Sequence, residues 1–398
     1  VQREQKLILG CGFRIVTVKP ELEMRPELDD MRPELVEGHT DGLRQAQPAD
    51  APPELVEGGT LLADYTTLRV GGPARRMITV NTEAELVETV RNLDERGEPL
   101  LILGGGSNLL VGDAGFDGTV IKIDTRGIDE DTAACSGAVI TVAAGESWDP
   151  LVSHAVERGW SGLEAMSGIP GLVGATPIQN VGAYGAEVSE LISMVRTLDR
   201  STGHLKTLFP VECGFGYRTS RFKSDPGRFL VLSVTFQLRL GSMSQPIRYP
   251  ELARTLGVEV GQRVAAAEVR QAVLALRTAK GMVLAKDDHD TWSAGSFFTN
   301  PIISSAEADA LPVDAPRFRQ SGDMMKTSAA WLIEQAGFGK GYGNGAAQLS
   351  GKHTLALTNR GGATAADLLS LAREIRAGVR ARFGIELVPE PVLVGCEL

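Results

Sequence analysis

Three consecutive glycines, Gly104-Gly105-Gly106, separate two apolar segments, Pro99–Leu103 and Leu109–Val111, that both read as strands. A glycine loop behind a strand is a usual place for backbone N–H groups to meet a phosphate-bearing cofactor. Here the spacing is Leu103-Gly104-Gly105-Gly106-Ser107-Asn108-Leu109, which is not G-x-G-x-x-G, and no helix N-terminus follows it. A Rossmann dinucleotide site therefore fails on context. Two readings remain: a nest of N–H groups for a pyrophosphate, or a plain tight hairpin.

A second glycine-rich stretch favours the nest. Between Ser167 and Gly185 there are five glycines in nineteen residues, and charges are few. The stretch holds Gly168-Ile169-Pro170-Gly171, Gly174-Ala175-Thr176, Gln179-Asn180 and Gly182. Glycine at this density lets backbone approach something flat or tightly packed. A neutral, donor-rich lining suits an isoalloxazine ring and its diphosphate better than a metal ion. Structural loops reach the same composition.

The ordered part of the chain begins β-α-β and then runs through closely spaced strands without regular helices. Met77–Val80 reads as a strand. Thr82-Glu83-Ala84-Glu85 is a capping box opening a helix with Leu86, Val87, Val90 and Leu93 on one face. Val120–Ile123 and Val139–Ala143 supply strands, Asp149–Arg158 and Ala267–Lys280 helices. Thr364 and Asp367 cap a helix carrying Leu368, Leu371, Ile375 and Val379. A terminal strand, Glu386–Val394, needs partners and should return to a sheet formed much earlier. This order predicts an α+β fold, not a doubly wound sheet.

Residues 1–60 have a different character. Pro-Glu-Leu-Val-Glu-Gly occurs twice, at 33–38 and 53–58. From Lys19 to Thr60 there are eleven acidic against four basic residues, which is -7 of the chain's net -10. Such composition cannot bury enough apolar surface to offset chain entropy, so it predicts a disordered extension. With the remainder near neutrality, nothing supports contacts to nucleic-acid phosphates. The four cysteines have no paired spacing for a disulfide framework or a metal site. Leu7-Ile8-Leu9-Gly10-Cys11 is too short for a secretory apolar region, and no run is long enough to span a bilayer. A cytoplasmic protein is expected.

The two glycine loops, in this order, resemble the FAD-binding half of the UDP-N-acetylenolpyruvoylglucosamine reductase family, within flavoproteins of the vanillyl-alcohol-oxidase type. Further motifs narrow the resemblance: Thr66-Thr67-Leu68-Arg69-Val70-Gly71-Gly72-Pro73, Phe215-Gly216-Tyr217-Arg218, Gly295-Ser296-Phe297-Phe298-x-Asn300-Pro301 and Pro389-Glu390-Pro391. They span about 61–398. Pro177-Ile178-Gln179-Asn180 and Tyr249 look like the type I branch. The resemblance implies a two-part FAD-binding region plus a C-terminal substrate-binding α+β domain. Its parts would be 61–124 completed by a strand within 384–398, then 125–285, then a substrate domain at 286–383.

It also implies the chemistry. NADPH would reduce non-covalent FAD, and UDP-N-acetylglucosamine enolpyruvate would then accept a hydride from flavin N5 at its terminal methylene. The product would be UDP-N-acetylmuramate for peptidoglycan, and so for cell shape and division. FAD contacts are expected from Gly104, Gly105, Gly106, Ser107, Asn108, Ile169, Pro170, Gly171, Gly174, Ala175, Thr176 and Gly182. Arg218 would face the developing carboxylate charge with a planar fork of donors. Ser296 would give the final proton, and Glu390 would act beside them. Tyr249 and Lys280 would hold the diphosphate, and Asn300 would touch substrate. No metal is implied, and a monomer without membrane or nucleic-acid partners is expected.

Each residue also has a plainer reading. Lys280 ends a helix, where a cation complements the dipole. Tyr249 could simply pack, Ser296 could be a turn residue and Glu390 an exposed strand charge. No role is assigned to Gln348 or His353, where the match is loose. Two other functions stay open: another FAD-linked oxidoreductase of the same flavoprotein group, or a catalytically silent nucleotide-sugar binder.

Overall fold

A computed structural model of the chain describes residues 54–133 and 137–398. Two sheets carry the first two-thirds of it. In the first, the strand order is Glu54–Leu61, Pro73–Val80, Phe116–Ile123, Leu100–Leu103. Its first pair is antiparallel and the other two are parallel. The second is antiparallel throughout, in the order His204–Leu208, Ile192–Asp199, Phe229–Leu240, Gly137–Ala143, Ile128–Ala133.

The helix Glu83–Glu95 joins the two. Thr82 and Glu85 form the capping box, and Leu86, Val87, Val90 and Leu93 are buried. That face packs on Val80, Ile121 and Ile123 of the first sheet and on Leu198, Leu230 and Leu232 of the second. Each such side chain contributes about 1.5–3 kcal/mol by leaving water. The central strand Phe229–Leu240 is buried along most of its length, because Trp148, Leu151 and Val152 of the helix Trp148–Glu157 join its core.

The C-terminal third has a small antiparallel sheet, Ile302–Ser304, Met324–Thr327 and Arg317–Arg319, and a long helix, Ala365–Phe383. Its core includes Leu68, Val70 and Leu110 from much earlier in the chain. Polar contacts repeat the connection. Asn359 Nδ2 donates to the Leu68 and Arg69 carbonyls, both at 3.1 Å. Asp113 accepts from the Ala365 and Ala366 N–H groups at 2.7 and 3.0 Å, adding a carboxylate to a helix N-terminus already capped by Thr364 and Asp367.

Two expectations need correcting. The predicted extension covered residues 1–60; residues 1–53 lie outside the described residues, but Glu54–Leu61 is a strand paired with Pro73–Val80. Edge pairing uses backbone hydrogen bonds and needs little apolar burial, so Leu55 and Val56 stay exposed. The register shifts between Glu57 and Thr60, where Gly58 and Gly59 take positive φ. The terminal strand is also shorter than expected, Val392–Val394, because Pro389 and Pro391 interrupt the segment before it. It pairs in parallel with Leu109–Val111. No helix among the described residues is long and apolar enough to cross a membrane.

Candidate active site

The two glycine loops meet. A Cβ on Gly105 would stand 2.8 Å from the Gly171 Cα, and one on Gly106 only 1.8 Å from the Tyr65 carbonyl oxygen. Ser107 Oγ donates to the Pro170 carbonyl at 3.1 Å. Asn108 Nδ2 donates to Gln179 Oε1 at 2.7 Å and to the Glu390 carbonyl at 3.4 Å. Among the described residues, the N–H groups of Gly105, Gly106 and Ser107 donate to no protein acceptor. Gly105 is exposed, Ser107 half-buried and Gly106 buried, and these free donors beside a side-chain-free wall suit a diphosphate with a flat ring system.

The rest of the second loop is occupied with protein partners. The N–H groups of Val173 and Gly174 donate to the Glu146 and Ala144 carbonyls at 2.8 and 2.9 Å. Thr176 is buried, and its hydroxyl donates to the Val173 carbonyl at 2.8 Å. A Cβ on Gly174 would meet that of Ala144 at 2.5 Å. Ile169 packs against the core of the second sheet. The loop's shape is thus fixed before any ligand arrives.

Arg218 and Glu390 are brought together, with Nε 3.3 Å from Oε1. Arg218 Nη1 donates to the Asn180 carbonyl at 3.3 Å and Nη2 to that of Gly182 at 2.7 Å. These contacts tie it to the second glycine stretch. Its backbone is left-handed, φ 52°, inside a turn where the Gly216 N–H donates to the Thr219 carbonyl at 3.0 Å. For a residue with a side chain that costs about 1–2 kcal/mol. Strain of this kind gathers where surrounding structure holds a functional side chain in place.

Burial pushes the Glu390 carboxyl above the ordinary range, and the charges of Arg218 and Lys223 oppose this. The Glu390 N–H donates to the Phe297 carbonyl at 2.8 Å, and Phe298 bridges Pro389. Ser296 therefore sits one residue from the backbone partner of Glu390, half-buried and preceded by Gly295 at φ 73°. Neither the exposed-charge reading of Glu390 nor a free-standing turn around Ser296 describes this arrangement.

Asn300 Nδ2 donates to the Tyr217 hydroxyl at 3.2 Å while its Oδ1 accepts from the Ala329 N–H at 3.0 Å. Tyr217 also lies under the Lys326 ammonium, 4.5 Å from its ring centre. Tyr249 and Lys280 form a second group. Tyr249 meets Tyr184 edge to face at 5.5 Å, and Lys280 Nζ pairs with Glu251 at 2.5 Å, 5.8 Å from the Tyr184 ring. Burial pushes the Tyr184 phenol up to about 12.

Three further residues, Arg277, Lys326 and Lys223, escaped the sequence reading, and a fourth, His353, was given no role there. Arg277 has a buried Nε with no partner, close to Gly168. Burial, with Lys280, Lys340 and Arg277 nearby, pushes His353 down to about 4, so it is neutral at physiological pH. Lys326 stands over Tyr217, and Lys223 Nζ donates to the Arg218 carbonyl at 3.2 Å. Only Lys223 had a local signal, lying on the first turn after the Tyr217-Arg218 motif. The others reach their positions through tertiary contacts alone.

Comparison with known proteins bears on the family and the fold. A family model described as FAD binding domain matches residues 74–208. Another, described as UDP-N-acetylenolpyruvoylglucosamine reductase, C-terminal domain, matches 287–394. The chain is 58% identical over 340 residues to UDP-N-acetylenolpyruvoylglucosamine reductase of Cutibacterium acnes, covering 85% of this chain and 90% of that protein. It is 54% identical over 351 residues to the Streptomyces avermitilis protein of the same name, covering 85% and 94%. Among solved structures, the UDP-N-acetylenolpyruvylglucosamine reductase of Thermus caldophilus matches with a TM-score of 0.58 and 28% identity, over 86% of this chain and 99% of that one.

Proposed function

The chain belongs to the UDP-N-acetylenolpyruvoylglucosamine reductase family, and from that premise we propose that it reduces UDP-N-acetylglucosamine enolpyruvate to UDP-N-acetylmuramate for peptidoglycan synthesis, with NADPH as reductant, in the cytoplasm. The observation that carries the mechanism is the Arg218–Glu390 pair, 3.3 Å apart, with the Glu390 carbonyl touching Asn108 of the first glycine loop.

Gly104–Asn108 and Ile169–Gly171 would hold FAD, which when bound supplies the hydride that the enolpyruvyl double bond takes at its methylene carbon. The chain's own work is to bind and orient the substrate carboxylate and to protonate the neighbouring carbon. A guanidinium has five N–H donors. In Arg218 one on each terminal nitrogen is donated, to the Asn180 and Gly182 carbonyls, and Nε lies 3.3 Å from Glu390, which leaves one on each terminal nitrogen for the carboxylate. Negative charge developing there meets donors fixed in advance by the left-handed turn, so little reorganisation is needed.

Ser296 is the proposed proton donor. An enediolate is basic enough to take a hydroxyl proton, and the half-buried position after Gly295 limits competition from water. Tyr249, Lys280 and Asn300 are the proposed contacts to the rest of the nucleotide sugar. The direct test is to purify the protein, look for the flavin spectrum, and follow NADPH oxidation with and without enolpyruvyl nucleotide sugar. Flavin present but no substrate-dependent oxidation would reject the proposed activity.

A further inference from the structure

We propose that Lys223 is a positioning residue: its ammonium clamps the Arg218 peptide in its left-handed turn and supplies the extra positive charge that lets the Arg218–Glu390 pair take up a substrate carboxylate. The inference rests on the binding role given to Arg218 above.

Lys223 lies on a one-turn helix, Arg221–Ser224, capped by the Ser220 side chain. Ser220 Oγ in turn donates to the Ile178 carbonyl, which fastens the helix to the second glycine stretch. From there Lys223 Nζ reaches back to the Arg218 carbonyl at 3.2 Å. A lysine on a solvated surface helix would turn its ammonium to water. This one is half-buried and uses a donor on the residue whose backbone is strained.

The charge count gives the second part. Arg218 and Lys223 bring two positive charges and Glu390 one negative, so the group carries one unit of positive charge. That matches a single carboxylate. Without Lys223 the pair would be self-neutralised, and a second anion beside Glu390 would be opposed. Lys223 and Glu390 influence each other without a direct ion pair among the described residues, so the ammonium does not lock the carboxylate. The remaining groups facing Glu390 are Arg218 and the Tyr217 phenol, which burial keeps neutral. Lys326 lies beyond, over the Tyr217 ring.

The test uses FAD-loaded protein with Lys223→Gln, which keeps a donor for the Arg218 carbonyl but no charge, and Lys223→Arg, which keeps the charge. Substrate binding to the oxidised protein is measured by calorimetry across pH, beside the pH profile of substrate reduction. Losing the positive neighbour disfavours ionised Glu390, so in Lys223→Gln the limb reporting that carboxyl should move to higher pH by about one unit. Affinity should fall, and Lys223→Arg should restore both. An unmoved limb, or an Arg variant no better than Gln, overturns the proposal. If instead Arg218→Lys binds substrate as well as the parent, the underlying reading of Arg218 fails.

Discussion

The Glu390 N–H and the Phe297 carbonyl share a 2.8 Å hydrogen bond, so the carboxylate segment and the Ser296 turn are held in register by backbone alone. Removing the Ser296 hydroxyl should therefore leave Glu390 where it is. Ser296→Ala is expected to slow reduction of the enolpyruvyl substrate by roughly 10²–10⁴ while reduction of the flavin by NADPH stays near the parental rate. Stopped-flow traces of the two half-reactions separate these. Equal losses in both would remove Ser296 as the proton donor.

Arg218→Lys tests geometry against charge. Lysine keeps the positive charge near Glu390 but cannot reach the Asn180 and Gly182 carbonyls and still present two parallel donors. The expected loss in kcat/KM for the substrate is roughly 10²–10³, the scale of a lost transition-state donor. A loss below threefold would show that charge alone suffices there.

Gly106→Ala should yield protein with little flavin. Its Cβ would fall 1.8 Å from the Tyr65 carbonyl, and φ is 60°. The control is Gly97→Ala, where φ is 63° but nothing lies within 4 Å. That change should cost about 1–2 kcal/mol of stability and leave flavin content unchanged. The ratio of visible to ultraviolet absorbance after purification reads both.

Asp199 gives a pH prediction. Arg228 donates to both its carboxyl oxygens, at 3.2 and 3.0 Å, and with Ser201 holds it at about 2 against an ordinary 3.8. A lowered folded value means the stabilisation is fully present above the unfolded value and is lost as pH falls through about 2. Asp199→Asn should lower Tm at neutral pH, and the gap from the parent should close between about pH 4 and pH 2. A gap constant across that range would assign the loss to something other than charge.

Much of the fold was legible because its signals are local. Thr82 with Glu85, and Thr364 with Asp367, mark helix starts by side-chain chemistry within one turn. The glycine loops announced close approach, and the approach is there between Gly105 and Gly171. The edge strand Glu54–Leu61 was missed because its composition reads as unfoldable, while its order comes from a neighbour's backbone. Of the candidate site, the motif resemblance pointed to Arg218 and Glu390, which the fold brings within 3.3 Å, and to Ser296, one residue from the backbone partner of Glu390. Lys326 over Tyr217 and the unpartnered Arg277 Nε were not, since neither position has a sequence pattern that names its neighbour.

The parallel pairing of Val392–Val394 with Leu109–Val111 bears on the order of assembly. Contacts between segments so distant along the chain return free energy only after the intervening loop has closed. The three-residue ladder that delivers Glu390 should therefore form late on refolding and open early under mild denaturant. Amide exchange at Val392, bonded to the Asn108 carbonyl, becomes a local gauge of whether the pocket is whole. Catalysis should vanish at denaturant concentrations where the helix Glu83–Glu95, wedged between two sheets, is still protected.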